Sequence, residues 1–363
     1  MSEQTMTDEQ TTAKIDLHSH WFAPSTQRLL GGRRTGMRLE DAGEGTATLV
    51  RGVQDGLPER FALGTHWFDI EQRLAHLESV GIIHQLLSWP TTLGLDPSAG
   101  PGELHGLWQA YNDDLGNLVR RYPSRFSGVA ALSTSDIQWS ARELARAHDS
   151  AGLIGAVLPV GVFSSTEAVE RLRPLLEEGQ RRRSHFYLHT GRGHASLAGQ
   201  FAGTHAQDLP ALRAAVNTAA TFAHAVFTLL YSDVLDAYPD ITVQVAMLGG
   251  AGTFANLLEQ FLSAPQRYGE VDIGTRLARL TFDTGAAGNG SEAIDTVVRL
   301  LGAEQVVFGT DYAPLPDTRQ VIANICRVPL QAAARQAIFH DNAARLLRDK
   351  GVSLPVYPNE VRP

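Results

Sequence analysis

The sequence predicts a single β/α barrel of the TIM type, on two observations. Short apolar runs alternate with longer helix-patterned segments along most of the chain, which is typical of repeated β-α units around a parallel sheet. Eight such runs can be counted, and eight strands close a parallel sheet into a barrel. The candidate strands begin near Ile15, Ile82, Phe126, Leu153, His185, Ile241, Leu277 and Gln305.

Helix-patterned segments separate the strands, for example residues 71–80 before the second strand and residues 103–122 after it. The spacing is uneven at residues 31–64, which are rich in glycine and show little periodicity. We interpret this segment as an excursion over the top of the barrel, because it lacks the apolar content for a core of its own. It could form a lid.

The remaining chain divides into one domain and two ends. Residues 15–350 form the barrel domain. Residues 1–14 are polar and predict a disordered tail without the basic and apolar regions of a signal peptide. Residues 351–363 contain three prolines and predict an extended arm that could pack on a second subunit, so we expect a homodimer.

Composition excludes several classes of protein. The 363 residues are 43% hydrophobic, which is ample for a buried core, and the formal net charge of −8 gives no basic surface for nucleic acid. The run Arg181–Arg183 is too short for such a surface and is interpreted as a solvated helix end. No stretch approaches the roughly twenty apolar residues that cross a bilayer. We therefore expect a cytoplasmic protein whose partner is a small molecule.

The single cysteine, Cys326, excludes an internal disulfide framework and a cysteine-based zinc cluster. Any metal must therefore be held by histidine and carboxylate side chains. His18 and His20 end the first apolar run, and residues two apart in a strand project to the same face, so the two imidazoles would converge. Convergent imidazoles bind borderline metals. The plainer alternative is a pair of polar residues at a strand end with no ligand.

Other reactive side chains stand at the carboxyl ends of predicted strands, where a β/α barrel places its catalytic groups. His189 ends the fifth strand, and Asp311 follows the eighth, where it could ligate a metal and move a proton. Asp283 ends the seventh strand as either a hydrogen-bond partner behind a ligand or a helix cap. Alone, His189 could equally be a core histidine and Asp311 a helix cap. Three histidines at the same end of the barrel, the end where the carboxyl ends of the strands lie, favour a metal centre.

At this point the chain resembles the amidohydrolase-related proteins of the aminocarboxymuconate-semialdehyde decarboxylase type. The resemblance runs from about Ile15 to Leu347. It rests on several motifs that are specific only together: IDLHSH at 15–20, His189 at a strand end, a Tyr-Pro-Asp segment at 238–240, a Gly-Gly turn at 249–250, FDT at 282–284, FGTDY at 308–312 and HDNAARLL at 340–347.

The resemblance implies a distorted barrel that holds one divalent metal ion, usually zinc, through His18, His20, His189 and Asp311. It also implies that the chain is a metal-dependent decarboxylase, or related carbon-carbon lyase, of small aromatic or β-oxo-type acids. The His-x-His motif places the chain closer to the semialdehyde and methylsalicylate decarboxylase branch than to relatives that begin with a glutamate.

The chain departs from the family pattern after the sixth strand. Family members commonly carry a histidine before the Gly-Gly turn, where it activates water or handles a proton. This chain has Met247 and Leu248 instead, and neither side chain accepts a proton. His194, in the loop after the fifth strand, is the candidate replacement, and His224 is a less plausible one.

Three functions from different classes remain open. Decarboxylation needs no hydrolytic base, because Asp311 would protonate the carbon that loses carbon dioxide. A metal-dependent hydrolase of a cyclic amide, ester or diketone is the alternative, although such a reaction depends more on the missing histidine. A barrel that has lost catalysis and binds a ligand is the third.

Several further side chains are candidates for substrate binding. Met247 and Leu248 would make the pocket drier and more receptive to an aromatic skeleton. Arg192 could pair with a substrate carboxylate, although a surface position is the commoner fate of an arginine. Trp21 and Trp89 stand near strand ends and could stack on a ring, or serve only in packing.

Overall fold

The computed structural model describes residues 12–43, 45–54, 57–203, 208–269, 271–285 and 290–355. The predicted tail therefore lies mostly outside the described residues, although Lys14 already belongs to the first strand. Of the predicted arm, residues 351–355 are described and have no regular structure beyond a turn at Gly351.

A strand lies at each of the eight predicted positions, and the third position is divided in two by Val129. The predicted starts fall within three residues of the observed ones, because a strand buried on both faces of a parallel sheet reads as a short apolar run. The barrel strands are β1 (Lys14–His20), β5 (Ile82–Ser88), β6 (Phe126–Gly128), β7 (Ala130–Ala131), β8 (Gly155–Pro159), β9 (His185–His189), β10 (Thr242–Val245), β11 (Leu280–Asp283) and β12 (Val306–Val307).

All pairings between these strands are parallel, in the orders β1-β5-β6 and β7-β8-β9-β10-β11-β12. The ring closes where the chain after β12 returns to β1. There the Leu17 amide donates to the Phe308 carbonyl at 2.9 Å, and the Asp311 amide donates to the His18 carbonyl at 2.8 Å. This closure confirms the barrel prediction and brings the two ends of the domain into contact.

Helices alternate with the barrel strands and cover the outside of the sheet. The predicted helices at 71–80 and 103–122 begin and end within two residues of observed ones. The helices are α1 (Pro24–Gly31), α2 (Ile70–Ser79), α3 (Leu95–Ser98), α4 (His105–Arg121), α5 (Ile137–Arg146), α6 (Thr166–Arg171), α7 (Arg173–Arg182), α8 (Pro210–Tyr231), α9 (Val234–Ala237), α10 (Thr253–Leu262), α11 (Pro265–Tyr268), α12 (Ile273–Leu277), α13 (Ser291–Leu301), α14 (Arg319–Arg327), α15 (Ala332–Gln336) and α16 (Asn342–Asp349).

The excursion at residues 31–64 is more ordered than its sequence suggested. It forms an antiparallel sheet of β2 (Arg38–Gly43), β3 (Thr46–Gln54) and β4 (Leu57–Leu63), with β3 in the centre. Its glycines interrupt the alternation of polar and apolar residues, which is why periodicity did not reveal the strands. Arg51 donates to the Thr92 carbonyl and joins the sheet to the loop after β5. Its role as a lid stays a prediction.

Helix α8 is an exception to the expectation that no segment is long and apolar enough to cross a membrane. By length and composition it would suffice, with a mean hydropathy of 1.2 over its most apolar window. However, 39% of that window is buried inside the protein, including Phe222, Val226 and Leu229. The second half of α8 thus packs into the protein interior, whereas its first half is exposed or half-buried.

The barrel wall contains a histidine whose burial makes stability depend on pH. His84 is fully buried on β5, and its ring nitrogens lie 3.1 Å from the Ser124 carbonyl and 3.0 Å from the Ser127 hydroxyl. Burial lowers the pKa of His84 from 6.5 to about 4. The unfolded chain therefore binds more protons than the folded one between these values, and stability falls as the pH falls through that window.

Lowering the pH from 7 to 5 is expected to reduce the free energy of unfolding by about 2 kcal/mol through His84 alone. Urea denaturation at the two pH values measures this change. The variant His84→Gln should lose less stability over the same interval, because glutamine at position 84 does not titrate between pH 7 and 5. Equal losses in the two proteins would contradict the assignment.

Candidate metal centre and active site

Four of the predicted ligands meet at the carboxyl-terminal end of the barrel. His18 and His20 lie on β1, His189 ends β9, and Asp311 follows β12. Each offers one ligand atom, and these atoms all lie within 4.8 Å of one another. Residues that are separated by up to 293 positions in the chain thus converge on one point, because parallel strands end at the same rim of the barrel.

The imidazole rings surround this point from three sides. The ring centroids of His18 and His20 are 5.2 Å apart, and His189 lies 5.0 Å from the first and 4.5 Å from the second. An Asp311 carboxylate oxygen lies 3.3 Å from His18 Nε2 and 3.2 Å from His20 Nε2. The histidines are buried, whereas the Asp311 side chain is 16% exposed and faces the mouth.

A hydrogen bond at Nδ1 of each histidine determines its tautomer. His18 Nδ1 lies 2.8 Å from an Asp283 carboxylate oxygen, which can only accept. Ser88 donates its hydroxyl to a backbone carbonyl of β1, so it accepts from His20 Nδ1 at 3.1 Å. Thr91 likewise donates to the carbonyl of residue 190 and accepts from His189 Nδ1 at 3.0 Å. When the imidazoles are neutral, each Nε2 atom therefore presents a lone pair to the centre.

Two of these nitrogen atoms lack a hydrogen-bond partner. His18 Nε2 and His20 Nε2 are buried without one in the part of the chain that the structure describes. A buried acceptor without a partner costs about 1–3 kcal/mol. Three imidazole nitrogens and one carboxylate oxygen are a ligand set for zinc or another divalent transition metal, and their Nδ1 partners are the outer contacts that such ligands usually have. The group therefore fits a divalent metal ion.

The charges around the group also favour a cation. Burial opposes protonation of His18, but Asp283 and Asp311 outweigh it and raise the pKa of His18 to about 10. Burial lowers the pKa of His20 and lowers that of His189 well below its usual value. Burial would raise the pKa of Asp311, but the adjacent histidines hold it below the usual range. Positive charge is stabilised between the two carboxylates.

The turn that carries Asp311 has an unusual backbone. Asp311 has a φ of +58°, a left-handed conformation that costs most residues about 1–2 kcal/mol. The preceding Thr310 is fixed by the buried Asp16, which accepts from its amide at 3.0 Å and from its hydroxyl at 2.6 Å. Burial raises the pKa of Asp16 to about 6, although its hydrogen bonds oppose this rise. Asp16 thus ties the Asp311 turn to β1.

Two glycines make room for His18. A Cβ atom at Gly285 would lie 2.1 Å from His18 Nδ1, and one at Gly309 would lie 2.6 Å from His18 Cβ. Both glycines belong to strand-end turns, and any larger residue would displace the imidazole. The small residues in the FDTG and FGTD segments therefore have a direct physical role at the centre.

Residues 247–252, after β10, form a left-handed turn. All six have φ between +51° and +79°, although three of them are not glycine. The amide of Met247 donates to Asp283 at 3.0 Å, and the Thr190 hydroxyl lies 3.1 Å from the Met247 sulfur. Leu248 is fully buried. Met247 therefore adjoins the residue after the ligand His189, whereas Leu248 belongs to the core.

The two candidate replacements for the missing histidine lie elsewhere. His194 Nε2 lies 3.0 Å from the Ala99 carbonyl and His194 Nδ1 lies 2.7 Å from the Ser196 hydroxyl, so both ring nitrogens are engaged in the loop. His224 is exposed and packs on Phe201 at a ring distance of 4.6 Å. The structure does not bring either histidine into the group of four.

Two of the candidate substrate-binding residues, Trp89 and Arg192, line cavities. Trp89 is 3% exposed and lines a narrow pocket together with Trp108 and Arg192. Arg192 also borders a cavity of about 310 Å³, whose other polar lining residues include Thr190 and Asn217. The Arg192 guanidinium donates to the Ala202 carbonyl on this second side.

Trp21 occupies a different position from Trp89. It is 4% exposed and packs on Tyr111 at a ring distance of 6.4 Å. Trp21 therefore contributes to the aromatic packing below the mouth, and neither of the two cavities includes it in its lining.

Sequence reasoning missed the partners of the ligands. Ser88 and Thr91 flank Trp89 at the end of the second barrel strand, so inspection of every strand end for hydroxyls would have found them. For Asp283 the sequence left two alternatives, a hydrogen-bond partner behind a ligand or a helix cap. Its bond to His18 agrees with the first. Gln244, which donates to Asp283 at 2.7 Å, gave no signal, because single polar residues inside apolar strands are common.

A closed barrel with three histidines and a carboxylate at its carboxyl-terminal rim defines a β/α barrel with a metal-binding centre. A model of the amidohydrolase family matches residues 98–348. The chain therefore belongs to the amidohydrolase family, and the resemblance that its motifs predicted is confirmed.

Several relatives of known activity are similar to the chain. The 2-amino-3-carboxymuconate-6-semialdehyde decarboxylase of Dictyostelium discoideum is 24% identical over 258 residues, which cover 70% of this chain and 69% of that protein. The 5-carboxyvanillate decarboxylase of Sphingomonas paucimobilis has a TM-score of 0.66 at 16% identity, over 93% of this chain and 99% of that one.

A dihydroxybenzoic acid decarboxylase from Polaromonas, solved with manganese and 2-nitroresorcinol, also has a TM-score of 0.66, at 19% identity and over 93% and 97% of the two chains. At these identities the structural similarities establish the shared fold. The named relatives are decarboxylases.

Removing a ligand should remove the metal. We expect His18→Ala and His189→Ala to lose bound metal after dialysis, because each deletes one of four donors, whereas His194→Ala should retain it. Atomic absorption of the purified proteins measures the metal content per chain. Retention of metal by both ligand variants, or its loss in His194→Ala alone, would refute the centre described above.

Proposed function

We propose that the protein is a metal-dependent decarboxylase of a small aromatic or β-oxo-type carboxylic acid. The observation that carries this proposal is the group of four side chains, in which each histidine has its Nε2 lone pair directed at one point beside the Asp311 carboxylate. The decarboxylases among the relatives support the choice of reaction.

We propose zinc as the metal, held by His18, His20, His189 and Asp311. Imidazole and carboxylate ligands also accept manganese, which the Polaromonas relative contains, so the metal is tested rather than assumed. A divalent ion at this position would act as a Lewis acid and draw electrons from a substrate oxygen next to the departing carboxylate. The residues supply the orientation and the proton.

Asp311 is the residue that would handle the proton. Its side chain is the exposed member of the group, and its lowered pKa keeps it ionised before substrate binds. It would take a proton from an acidic group of the substrate and deliver it to the carbon atom from which carbon dioxide leaves. The carbon-carbon bond breaks, its electron pair stays on that carbon, and the proton from Asp311 completes the new carbon-hydrogen bond.

The surroundings of Met247 favour a lyase over a hydrolase. Hydrolysis needs a base that activates water, and the thioether of Met247 beside Thr190 cannot accept a proton at neutral pH. His194 is engaged by its own loop and does not supply the base. A hydrolase of a cyclic amide, ester or diketone remains the second candidate, and a ligand-binding barrel without catalysis the third.

Arg192 is proposed to bind the substrate carboxylate or a second acidic group. It separates the narrow pocket beside Trp89 from the polar cavity that Thr190 and Asn217 line. A substrate ring that packs on Trp89 would thus have the Arg192 guanidinium at one edge, together with the Asn217 amide and the Thr190 hydroxyl. Trp21 is assigned a packing role.

The remaining expectations stay predictions. These are the cytoplasmic location, the homodimer, the small-molecule partner and the absence of nucleic-acid and membrane partners.

Carbon dioxide release separates the three functions. The protein loaded with zinc or manganese is incubated in water enriched in oxygen-18 with hydroxybenzoic and β-oxo acids and, in parallel, with cyclic amides, esters and diketones. We expect carbon dioxide to form without oxygen-18 in the organic product, because no water adds to it. Oxygen-18 in the product would favour the hydrolase, and binding without turnover would favour the ligand-binding barrel.

In the same assay Asp311→Asn should lower kcat by about 100-fold or more, since it removes the proton carrier. The control Asp317→Asn changes an exposed aspartate that pairs with Arg319 and should leave turnover unchanged.

Arg192→Gln should raise KM about tenfold or more and change kcat less, because hydrogen bonds to a charged group contribute about 1.5–3 kcal/mol to binding. The matched control is Arg213→Gln, which alters an exposed arginine of α8 paired with Asp208 at 2.7 Å. Steady-state kinetics of both variants on one active substrate test the assignment. An unchanged KM in Arg192→Gln would rule out its role in binding.

A further inference from the structure

A line of hydrogen-bonded polar side chains runs through the interior of the barrel beneath the metal centre. It begins at Thr242, passes through His185 and Gln244, and ends at Asp283, the partner of His18. His185, Gln244 and Asp283 are 0% exposed. Among the described residues no hydrogen bond joins the first three to the group of four, and the proposed reaction uses none of them.

The donors and acceptors along this line are determined by Gln244. Its amide nitrogen lies 2.9 Å from the Leu17 carbonyl and 2.7 Å from Asp283 Oδ2, and both of these atoms can only accept. The Gln244 oxygen must therefore face His185, whose Nε2 lies 3.1 Å away and carries the proton. His185 Nδ1 then accepts from the Thr242 hydroxyl at 3.0 Å. In each hydrogen bond of the line from Thr242 to Asp283, the donor is therefore the residue farther from Asp283.

Asp283 receives donors from several directions. Gln244 donates to its Oδ2, while its Oδ1 accepts from His18 Nδ1 at 2.8 Å and from the amides of Met247 and Gly285 at 3.0 Å each. A carboxylate with both oxygen atoms occupied in this way has one orientation. In that orientation the carboxylate accepts a hydrogen bond from His18 Nδ1, so the proton stays on Nδ1 and the Nε2 atom is free to bind the cation.

Burying His185 costs free energy, so its presence inside the barrel indicates that its hydrogen bonds have a role. A polar group without hydrogen bonds in an apolar interior costs roughly 2–7 kcal/mol, so both ring nitrogens need partners. The only described partners are Thr242 and Gln244, so the histidine and the amide fix each other's orientation. An apolar residue would fill the same space without this requirement.

We propose that Gln244, supported by His185, is a positioning residue of the metal centre, which holds the Asp283 carboxylate so that His18 keeps its Nδ1 proton and its metal-binding tautomer. The inference rests on the proposed metal site and adds two residues to it. It predicts that metal affinity depends on side chains that never touch the ion.

The first test compares metal affinities of matched variants. Gln244→Met keeps the approximate volume but removes the amide donor, and His185→Gln removes the imidazole. The control is His84→Gln, since His84 is equally buried on a barrel strand, with both ring nitrogens hydrogen-bonded but to groups outside the line. Zinc dissociation constants come from competition with a chromophoric chelator, and thermal unfolding reports the folded fraction.

We expect Gln244→Met to weaken zinc binding by up to about tenfold, the low end of the effect of removing a ligand's own partner, because Gln244 acts on His18 through Asp283. His185→Gln should weaken zinc binding less, and His84→Gln should bind zinc as the wild type does, despite a comparable loss of stability. Wild-type affinity in Gln244→Met and His185→Gln would overturn the inference. Equal weakening in all three variants would also overturn it, because the effect would then follow stability alone.

The second test observes the tautomer in the metal-free protein at high pH, where His18 is neutral. Nitrogen-15 NMR of the imidazoles should show the His18 proton at Nδ1 in the wild type and in His84→Gln, and a mixture of tautomers in Gln244→Met. His185→Gln supplies this measurement if Gln244→Met does not fold. One unchanged His18 tautomer in the variants would overturn the inference.

The variant His18→Ala separates this inference from the proposed function. If His18→Ala binds zinc as tightly as the wild type, the metal site itself is wrong. If His18→Ala loses zinc while Gln244→Met retains wild-type affinity, the metal site stands and only the positioning role fails.

Discussion

The bond between Asp283 and His18 is the interaction on which the centre depends. At 2.8 Å it fixes the Nδ1 proton of His18 and directs Nε2 toward the other ligands. Gly285 and Gly309 leave no free space beside the ring, since a Cβ atom at either position would lie within 2.6 Å of a His18 atom. A buried carboxylate is stable only when its hydrogen bonds are complete, so the strands beneath Asp283 are constrained by the same bond.

Two strained turns complete the site. Asp311 and residues 247–252 adopt left-handed backbone conformations, which are tolerated only where surrounding contacts hold them. Asp16 fixes the first turn through Thr310, and Asp283 fixes the second through the Met247 amide. The strain places a carboxylate at the mouth and a thioether near it. A carboxylate that can carry a proton, in a site whose Met247 position holds no histidine, is suited to breaking a carbon-carbon bond.

Much of the fold could be predicted from the sequence. Strands of a parallel barrel are buried on both faces, so they appear as apolar runs of a few residues between helical segments. The antiparallel sheet at residues 38–63 could not be predicted, because Gly43, Gly45 and Gly52 stand within or beside its strands and obscure the alternation of polar and apolar residues. The helix before the sixth strand was expected, but its length and apolar composition were not, since the exposed half and the buried half of α8 are both rich in apolar residues.

The sequence by itself predicted that His18, His20, His189 and Asp311 form one group, and the structure brings these side chains together. The prediction was possible because the two-residue period of a strand and the strand-end rule depend only on local order. Tertiary structure decided their hydrogen-bond partners Ser88, Thr91 and Asp283, and Gln244 behind Asp283. A hydrogen bond between neighbouring strands depends on register and side-chain direction, which a single chain does not encode locally. Tertiary structure also decided that Met247 lies beside the mouth while His194 stays in its loop, because only packing fixes where a loop side chain ends.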